Sequence, residues 1–303
     1  MAGHPATLAV LGVDGKLAPD VTVDLGNGQS VTTDRTGRAL FTAPPTGDYL
    51  LAKASGASVA ALVDPAAGAS EPHATALPAV VSVRDRFWIC GAGLRGDADA
   101  NSVTINGQPA IVLAASPICL VALPGPKAEP GRASLSIEAP GVKWSATTTI
   151  VSLEFEAPNP ALKPGQKGQL KIHVRGSNQK LGIVVQNQTP DVLRFPRGDL
   201  QALLTSGGAE NVTGLRVQAV TSGDFSFRAR LVPAADAAAA ERYLLAAEPL
   251  APKELQREIL DMADRLEHHP RNAQTVRARL QKIVRNTMTG DFRTLLEAAQ
   301  SAL

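Results

Sequence analysis

The chain has 303 residues, more than one ordinary domain of ~100–200, so several domains are expected, each large enough to bury a core. Hydrophobic residues make up 44% and charged residues 19%, which excludes a disordered chain, and a net charge of +2 gives no global drive toward nucleic acid or an anionic membrane. No apolar run approaches the ~18 residues that a membrane span requires.

The opening stretch, MAGHPATLAVLGVDG, has no basic n-region, and Gly12 interrupts its short apolar run, so it does not read as a signal peptide. Such a chain is either cytoplasmic or processed. Met1 followed directly by strand-like residues fits a trimmed form, and export is the expectation adopted. Val21, Val23 and Leu25 then alternate with Thr22 and Asp24, a half-buried strand. Gly26-Asn27-Gly28 turns this strand into Ser30-Val31-Thr32-Thr33, a hairpin signal. Asp34-Arg35-Thr36-Gly37 turns before Ala39-Leu40-Phe41, and Pro44-Pro45-Thr46-Gly47-Asp48 turns before Tyr49-Leu50-Leu51-Ala52. This order, a strand followed by TDRTGRALF and then PTGDYLL, resembles the carboxypeptidase regulatory-like (transthyretin-like) β-sandwich. The resemblance covers about fifty residues. It implies a small seven-strand, non-catalytic module that accompanies enzymes, receptors or surface proteins. Residues 55–78 are rich in Ala, Gly, Ser and Pro and read as a linker or a loose strand, so the first unit is placed at 1–77.

From 78 to 153, apolar alternation is broken by GAG, ING and a Pro-bounded turn, a string of short strands. Cys90 and Cys119 are the chain's two cysteines, too few for a disulfide-rich framework and without metal-ligand spacing. Both sit in apolar runs, FWIC and SPICLVAL, which suits either two buried thiols or one intra-domain disulfide. A disulfide would imply an oxidising compartment. Pro78-Ala-Val-Val-Ser-Val, Ile89-Cys-Gly-Ala-Gly-Leu, Val103-Thr-Ile-Asn-Gly, Leu120-Val-Ala-Leu-Pro and Ala133-Ser-Leu-Ser-Ile resemble, in order, the elements of an IPT/TIG immunoglobulin-like domain. That resemblance implies an extracellular interaction or spacer module. The cysteines depart from the family's pattern, although they fall on elements that can be neighbours in such a sandwich. Loop-borne basic residues of the kind used by DNA-binding relatives are not evident.

Residues 154–233 read as a further immunoglobulin-like sandwich. It has a Pro/Gly-rich lead-in, PNPALKPGQKG, and strands at Leu170–Val174, Gly182–Val185, Leu215–Val220 and Phe225–Leu231. Beyond Pro233 the composition turns to Ala, Leu, Glu and Arg. Leu255, Ile259, Met262, Ala263 and Leu266 form a helical stripe after Pro252, and His269-Pro270 breaks it. Asn272 is the predicted cap of a helix carrying Val276, Leu280, Ile283 and Val284, and Gly290-Asp291 leads to one with Phe292, Leu295 and Leu296 inward. Residues 234–303 are thus a helical tail whose apolar faces close on each other, on the third sandwich or on a partner.

Candidate chemistry is sparse. No nucleophile elbow, HExxH, P-loop or dinucleotide fingerprint occurs in its required context. His173 lies in the strand LKIHV, and adjacent His268 and His269 diverge on a helix and suit its C-terminal dipole better than a metal. Asp97, Asp99, Asn101 and Ser102 alternate oxygens as a Ca²⁺ loop does, but without the glycine and distal glutamate. The tripeptide Arg95-Gly96-Asp97 recurs as Arg197-Gly198-Asp199, and both copies are candidate interaction loops. Trp88 reads as core, and 4% aromatics disfavours a sugar-stacking face. Arg277, Arg279, Lys282 and Arg285 make a basic helix face that Glu254, Glu258, Asp261, Asp264 and Glu267 are expected to neutralise.

The expected fold class is mainly β: tandem immunoglobulin-like and transthyretin-like sandwiches followed by a C-terminal α-helical segment. The expected function is that of an exported, non-catalytic binding or scaffolding protein. It needs no cofactor, contacts no nucleic acid, and engages a protein or cell-envelope component. Carbohydrate is a further possible ligand. The alternatives are an accessory polysaccharide- or peptide-binding protein of a hydrolase system, or an enzyme with a site between modules.

Overall fold

The computed structural model describes residues 1–12, 15–26, 28–65, 71–158, 161–196, 198–232 and 235–303; Asn27 of the expected first turn and Arg197 of the second tripeptide lie outside these. Among the described residues the chain is mainly β, with a C-terminal helical segment, as its patterning predicts. Its strands are β1 (Pro5–Ala9), β2 (Thr22–Gly26), β3 (Gln29–Thr32), β4 (Arg38–Thr42), β5 (Tyr49–Ala54), β6 (Ala57–Leu62), β7 (His73–Ala76), β8 (Val80–Ser82), β9 (Phe87–Ala92), β10 (Ser102–Ile105), β11 (Gln108–Pro109), β12 (Ile111–Ala115), β13 (Cys119–Leu123), β14 (Gly131–Ala139) and β15 (Val142–Glu156). They continue with β16 (Lys167–Arg175), β17 (Gly182–Asn187), β18 (Leu193–Arg194), β19 (Leu200–Leu204), β20 (Val212–Ala219) and β21 (Phe227–Leu231). The helices are α1 (Ala237–Ala247), α2 (Lys253–His268), α3 (Ala273–Asn286) and α4 (Asp291–Ala302).

The N-terminal sandwich faces a four-stranded sheet, β3-β2-β5-β6, against β1 and β4. Val23, Leu25 and Leu50 meet Leu8 and Phe41 between them. The stretch read as a linker or loose strand contains β6, fully paired to β5 from Tyr49–Leu62 to Ala54–Ala57, and β7. The middle sandwich encloses Ile89, Leu120, Val103, Leu135, Ile137 and Ile150. The third encloses Leu170, Ile172, Ile183, Val185 and Leu215, with Phe155, Phe195 and Phe225 each tilted against Phe227 at centroid distances of 5.2–5.5 Å.

These cores are separate, but their sheets are not. The six-stranded sheet β4-β1-β12-β13-β9-β7 runs from the first sandwich into the second through the pair Thr7–Ala115. Paired residues across an antiparallel ladder share a face. Thr7 therefore lies on the face that buries Ala115 and Leu120, while Leu8 and Phe41 lie on the opposite face. One sheet thus covers the middle core on one side and the N-terminal core on the other.

The second junction is β15. It pairs with β14 from Val142 to Ile150 and with β16 from Ser152 to Glu156, so a single strand belongs to two sandwiches. The expected boundary between the second and third segments, at 153/154, falls inside it. β8 adds a parallel rung across residues 149–151, where the partners change.

The helices pack on one another around Leu244, Ile259, Met262, Leu280, Leu295 and Leu296, and on the N-terminal sandwich. β5 alternates: Leu50 enters the sandwich core, while Tyr49 and Leu51 pack with Ala60 of β6 against the helices. The expectation that the apolar faces close on each other holds, and the further surface they cover belongs to the first sandwich, not to the third. Polar contacts fix the dock. The Arg242 guanidinium pairs with Asp64, Lys53 Nζ lies 2.7 Å from Asp291 Oδ1, and the Ser58 and Thr294 hydroxyls are 2.5 Å apart. Asn272 stands at the cap position of α3 without a side-chain capping bond, and Gly290, not Asp291, is the N-cap residue of α4.

Candidate functional site

Residues 95–101 form the seam between the first two sandwiches. Asn101 is buried and straps the loop: its Oδ1 accepts from Arg95 N at 3.0 Å, and its Nδ2 donates to Arg95 O at 2.9 Å and Asp97 O at 2.7 Å. Thr7 of β1 donates its hydroxyl to Gly96 O at 2.7 Å and accepts from Ala98 N at 3.1 Å. Gly96 is buried against β1 so closely that a Cβ would stand 1.8 Å from Pro5 O. The first tripeptide therefore has a seam glycine at its centre. Arg95 reaches the Pro140 carbonyl at 3.0 Å, and Asp97 caps a 3-10 turn by accepting from Asp99 N at 3.0 Å. Gly198 and Asp199 are exposed in the turn before β19, on the third sandwich, and the bonds that hold residues 95–101 involve neither of them.

Beside the seam is a cleft of about 420 Å³, lined by residues that include Thr36, Arg38, Asp99, Asn101 and Ile111. Arg38 crosses it, pairing with Asp99 at 2.6 Å and donating to Val112 O at 3.2 Å. The oxygens that suggested a Ca²⁺ loop are thus turned to separate partners: Asp97 to a cap, Asp99 to Arg38 and Asn101 to the strap. Asp34 secures the turn that delivers Arg38. Its carboxyl is held below the ordinary range by the hydrogen bond from the Thr36 hydroxyl and by those from the Arg38 and Thr36 amides.

Cys90 and Cys119 face each other directly across β9 and β13 and are joined as a disulfide, with Cα atoms 4.1 Å apart. Of the two sequence readings, the bonded one holds. The bridge ties neighbouring strands of one sheet and lies on its outer face. Trp88 lies on that same face, 51% exposed, opposite Val121. This overturns the expectation of a core tryptophan. Phe87 and Ile89 take the inward positions of β9, and the two-residue period leaves Trp88 and Cys90 outward. Trp144 is the half-buried one, packed on the middle core with its ring edge close over Gly91.

Elsewhere the candidates form ion pairs. On the outer face of the third sandwich His173 meets Glu156 at 2.6 Å, and Arg175 meets Glu154 at 3.2 Å. Both carboxyls are held below the ordinary glutamate range. For Glu154 the Arg175 hydrogen bond leads, and for Glu156 the His173 bond leads. Of the basic helix face, Arg279 pairs with Glu258 at 2.7 Å and Asp261 at 3.4 Å, so the expected neutralisation is seen at this one residue. At the end of α2, His268 sits among exposed Asp264 and Glu267, and its pKa is raised, first by its hydrogen bond to the Asp264 carbonyl and then by the two carboxylates. No helix among the described residues is long and apolar enough to cross a membrane.

No protein-family model and no curated protein matches the chain. Solved structures do. The plexin A4 extracellular region aligns over 74% of this chain at 10% identity and a TM-score of 0.32, and the chain spans 21% of that region. The insect immune protein hemolin aligns over 74% of this chain and 72% of its own at 13% identity and a TM-score of 0.24. The titin I9–I11 tandem aligns over 76% of this chain and 89% of its own at 10% identity and a TM-score of 0.22. Hemolin and titin are tandem immunoglobulin-like β-sandwich proteins, and likenesses this low assign this chain neither a family nor a function.

Proposed function

We propose that this protein is a non-catalytic, extracytoplasmic scaffold that holds binding surfaces at fixed separation for a protein or cell-envelope partner. In this reading the units are 1–77, a carboxypeptidase regulatory-like sandwich; 78–153, an IPT/TIG-like sandwich; 154–233, an immunoglobulin-like sandwich; and 234–303, the helices. The observation that carries the proposal is the continuity of β15, whose fifteen residues join two sandwiches without a linker. Domains on separate linkers move relative to one another by default; a strand hydrogen-bonded in both removes that freedom. The Cys90–Cys119 disulfide supports an oxidising compartment. A direct test replaces the point of partner change, Val151-Ser152, with a Gly-Ser tract and measures saturable binding to envelope fractions of the native source. A scaffold loses that binding while each sandwich stays folded; retained binding places the function in one sandwich alone.

A second reading, accessory carbohydrate or peptide binding, is favoured by one observation, the exposed Trp88 on the outer face of β9. Titration with soluble glycans should then be abolished by Trp88→Ala and unaffected by the same change at the half-buried Trp144.

A further inference from the structure

Arginines gather without a matching set of acids where the middle sandwich meets the third. Arg86 follows β8 in the turn that leads to β9, close to the point where β15 changes partners. Arg228 and Arg230 project from β21. They pair with Gln186 and Val184 of β17 and so share the outer face of the three-stranded sheet β19-β17-β21. Both are exposed, whereas Arg86 is half-buried. Val184 occupies that outer face and is nevertheless only 4% exposed, so the sheet is covered there.

Among the described residues these charges are only partly compensated. Arg228 and Arg230 form no ion pair among the described residues, and Asp85 is the acid that acts on Arg86. The Arg86 Nε–H is cut off from solvent and has no acceptor among the described residues. A buried donor left unmatched is costly and calls for an explanation. The Arg86 pKa is pushed down by burial first. Asp85 opposes the fall, and the like charges of Arg228 and Arg230 add to it. β21 touches β8, the strand that leads into Arg86, and guanidinium groups on these adjoining elements, one with an unused donor, suit a multi-oxygen anion, because a guanidinium fork matches such oxygens two at a time.

We propose that Arg86, Arg228 and Arg230 form a binding site for a tetrahedral oxyanion, a sulfate or phosphate group, at the junction of the second and third sandwiches. The group is either a free ion or an ester on a small ligand. Bound there, it supplies the missing counter-charge between the β8–β9 turn and β21 and couples the site to the stiffness of the junction.

The test is titration calorimetry and thermal unfolding of the full chain with inorganic sulfate, inorganic phosphate and a sulfate monoester of glucose, against chloride at equal ionic strength. Wild-type protein should bind saturably, and its Tm should rise with the logarithm of anion concentration. Each arginine removed, as Arg228→Gln or Arg230→Gln, should weaken binding about tenfold, the loss of one charge-assisted contact. In chloride, the double variant should be at least as stable as wild type, since like charges have been removed. Should it prove less stable, Arg86→Met, which keeps a half-buried stem and removes the charge, is read in its place. Equal affinity for sulfate and its ester assigns the site to a free ion, and an ester bound tenfold tighter assigns it to a larger ligand. No saturable binding, or binding that survives the arginine changes, overturns the proposal.

Discussion

Two glycines hold the seams. Gly176 has a φ of +90°, and a Cβ there would stand 2.2 Å from Ile150 O and 2.7 Å from Gly131 N, where β16 and β14 meet β15 end to end. Gly176→Ala is therefore expected to destabilise the protein by more than about 2 kcal/mol and to loosen the second junction, because both backbone angle and space oppose it. Gly96→Ala should do the same to the first junction. Denaturant titration measures the loss, and hydrogen exchange at residues 149–152 and 95–101 locates it. The Cys90–Cys119 bond closes a loop of sequence separation 29, so its removal by paired Cys→Ala changes should cost about 3–4 kcal/mol on the chain-entropy estimate. Residue identity made these cysteines and glycines visible in the sequence, but not their roles. FWIC is apolar at every position, so nothing in it sets which of Trp88 and Ile89 faces inward; register does, and register comes from pairing with β13.

At the scale of elements, most strands and helices were legible because turn residues punctuate them and periodicity runs between them; β6, in the stretch read as a linker or loose strand, and β19 were not. Long-range pairings were not. VKWSATTTIVSLEFE contains neither Gly nor Pro, and that lack of punctuation was the available sign of one continuous strand. Tyr49-Leu50-Leu51-Ala52 is apolar in both phases, the mark of a strand covered on two sides, but the identity of the second cover lies more than 180 residues away. Placing a charge at that dock, Ala60→Asp, should release the helices and expose Tyr49 and Leu51. Binding of a hydrophobic dye and faster proteolysis near residue 235 would show it, and unchanged protection would contradict the dock. The Glu154 and Glu156 ladder sets an acid limb. Carboxyls depressed in the fold contribute stability above the ordinary glutamate range and lose it as pH falls through their folded values. Glu154→Gln with Glu156→Gln should flatten stability against pH on that side. His268 has the opposite sign: its raised pKa contributes below the ordinary histidine value, and the contribution fades as pH climbs through the folded one.

At the scale of the molecule, a sheet shared by two sandwiches, a strand shared by two sandwiches and a helical tail returned to the first leave no free linker at the described junctions. The central claim is that this continuity fixes the separation of the surfaces the protein presents. Pulsed electron spin resonance on labels at Lys127 of the middle sandwich, Ser222 of the third and Glu254 of α2 measures it most directly. The three positions are exposed, and the native cysteines are held in their disulfide. The account predicts one narrow distance distribution for each pair, broadened between Lys127 and Ser222 by Gly176→Ala. Broad distributions in the unaltered protein would contradict it.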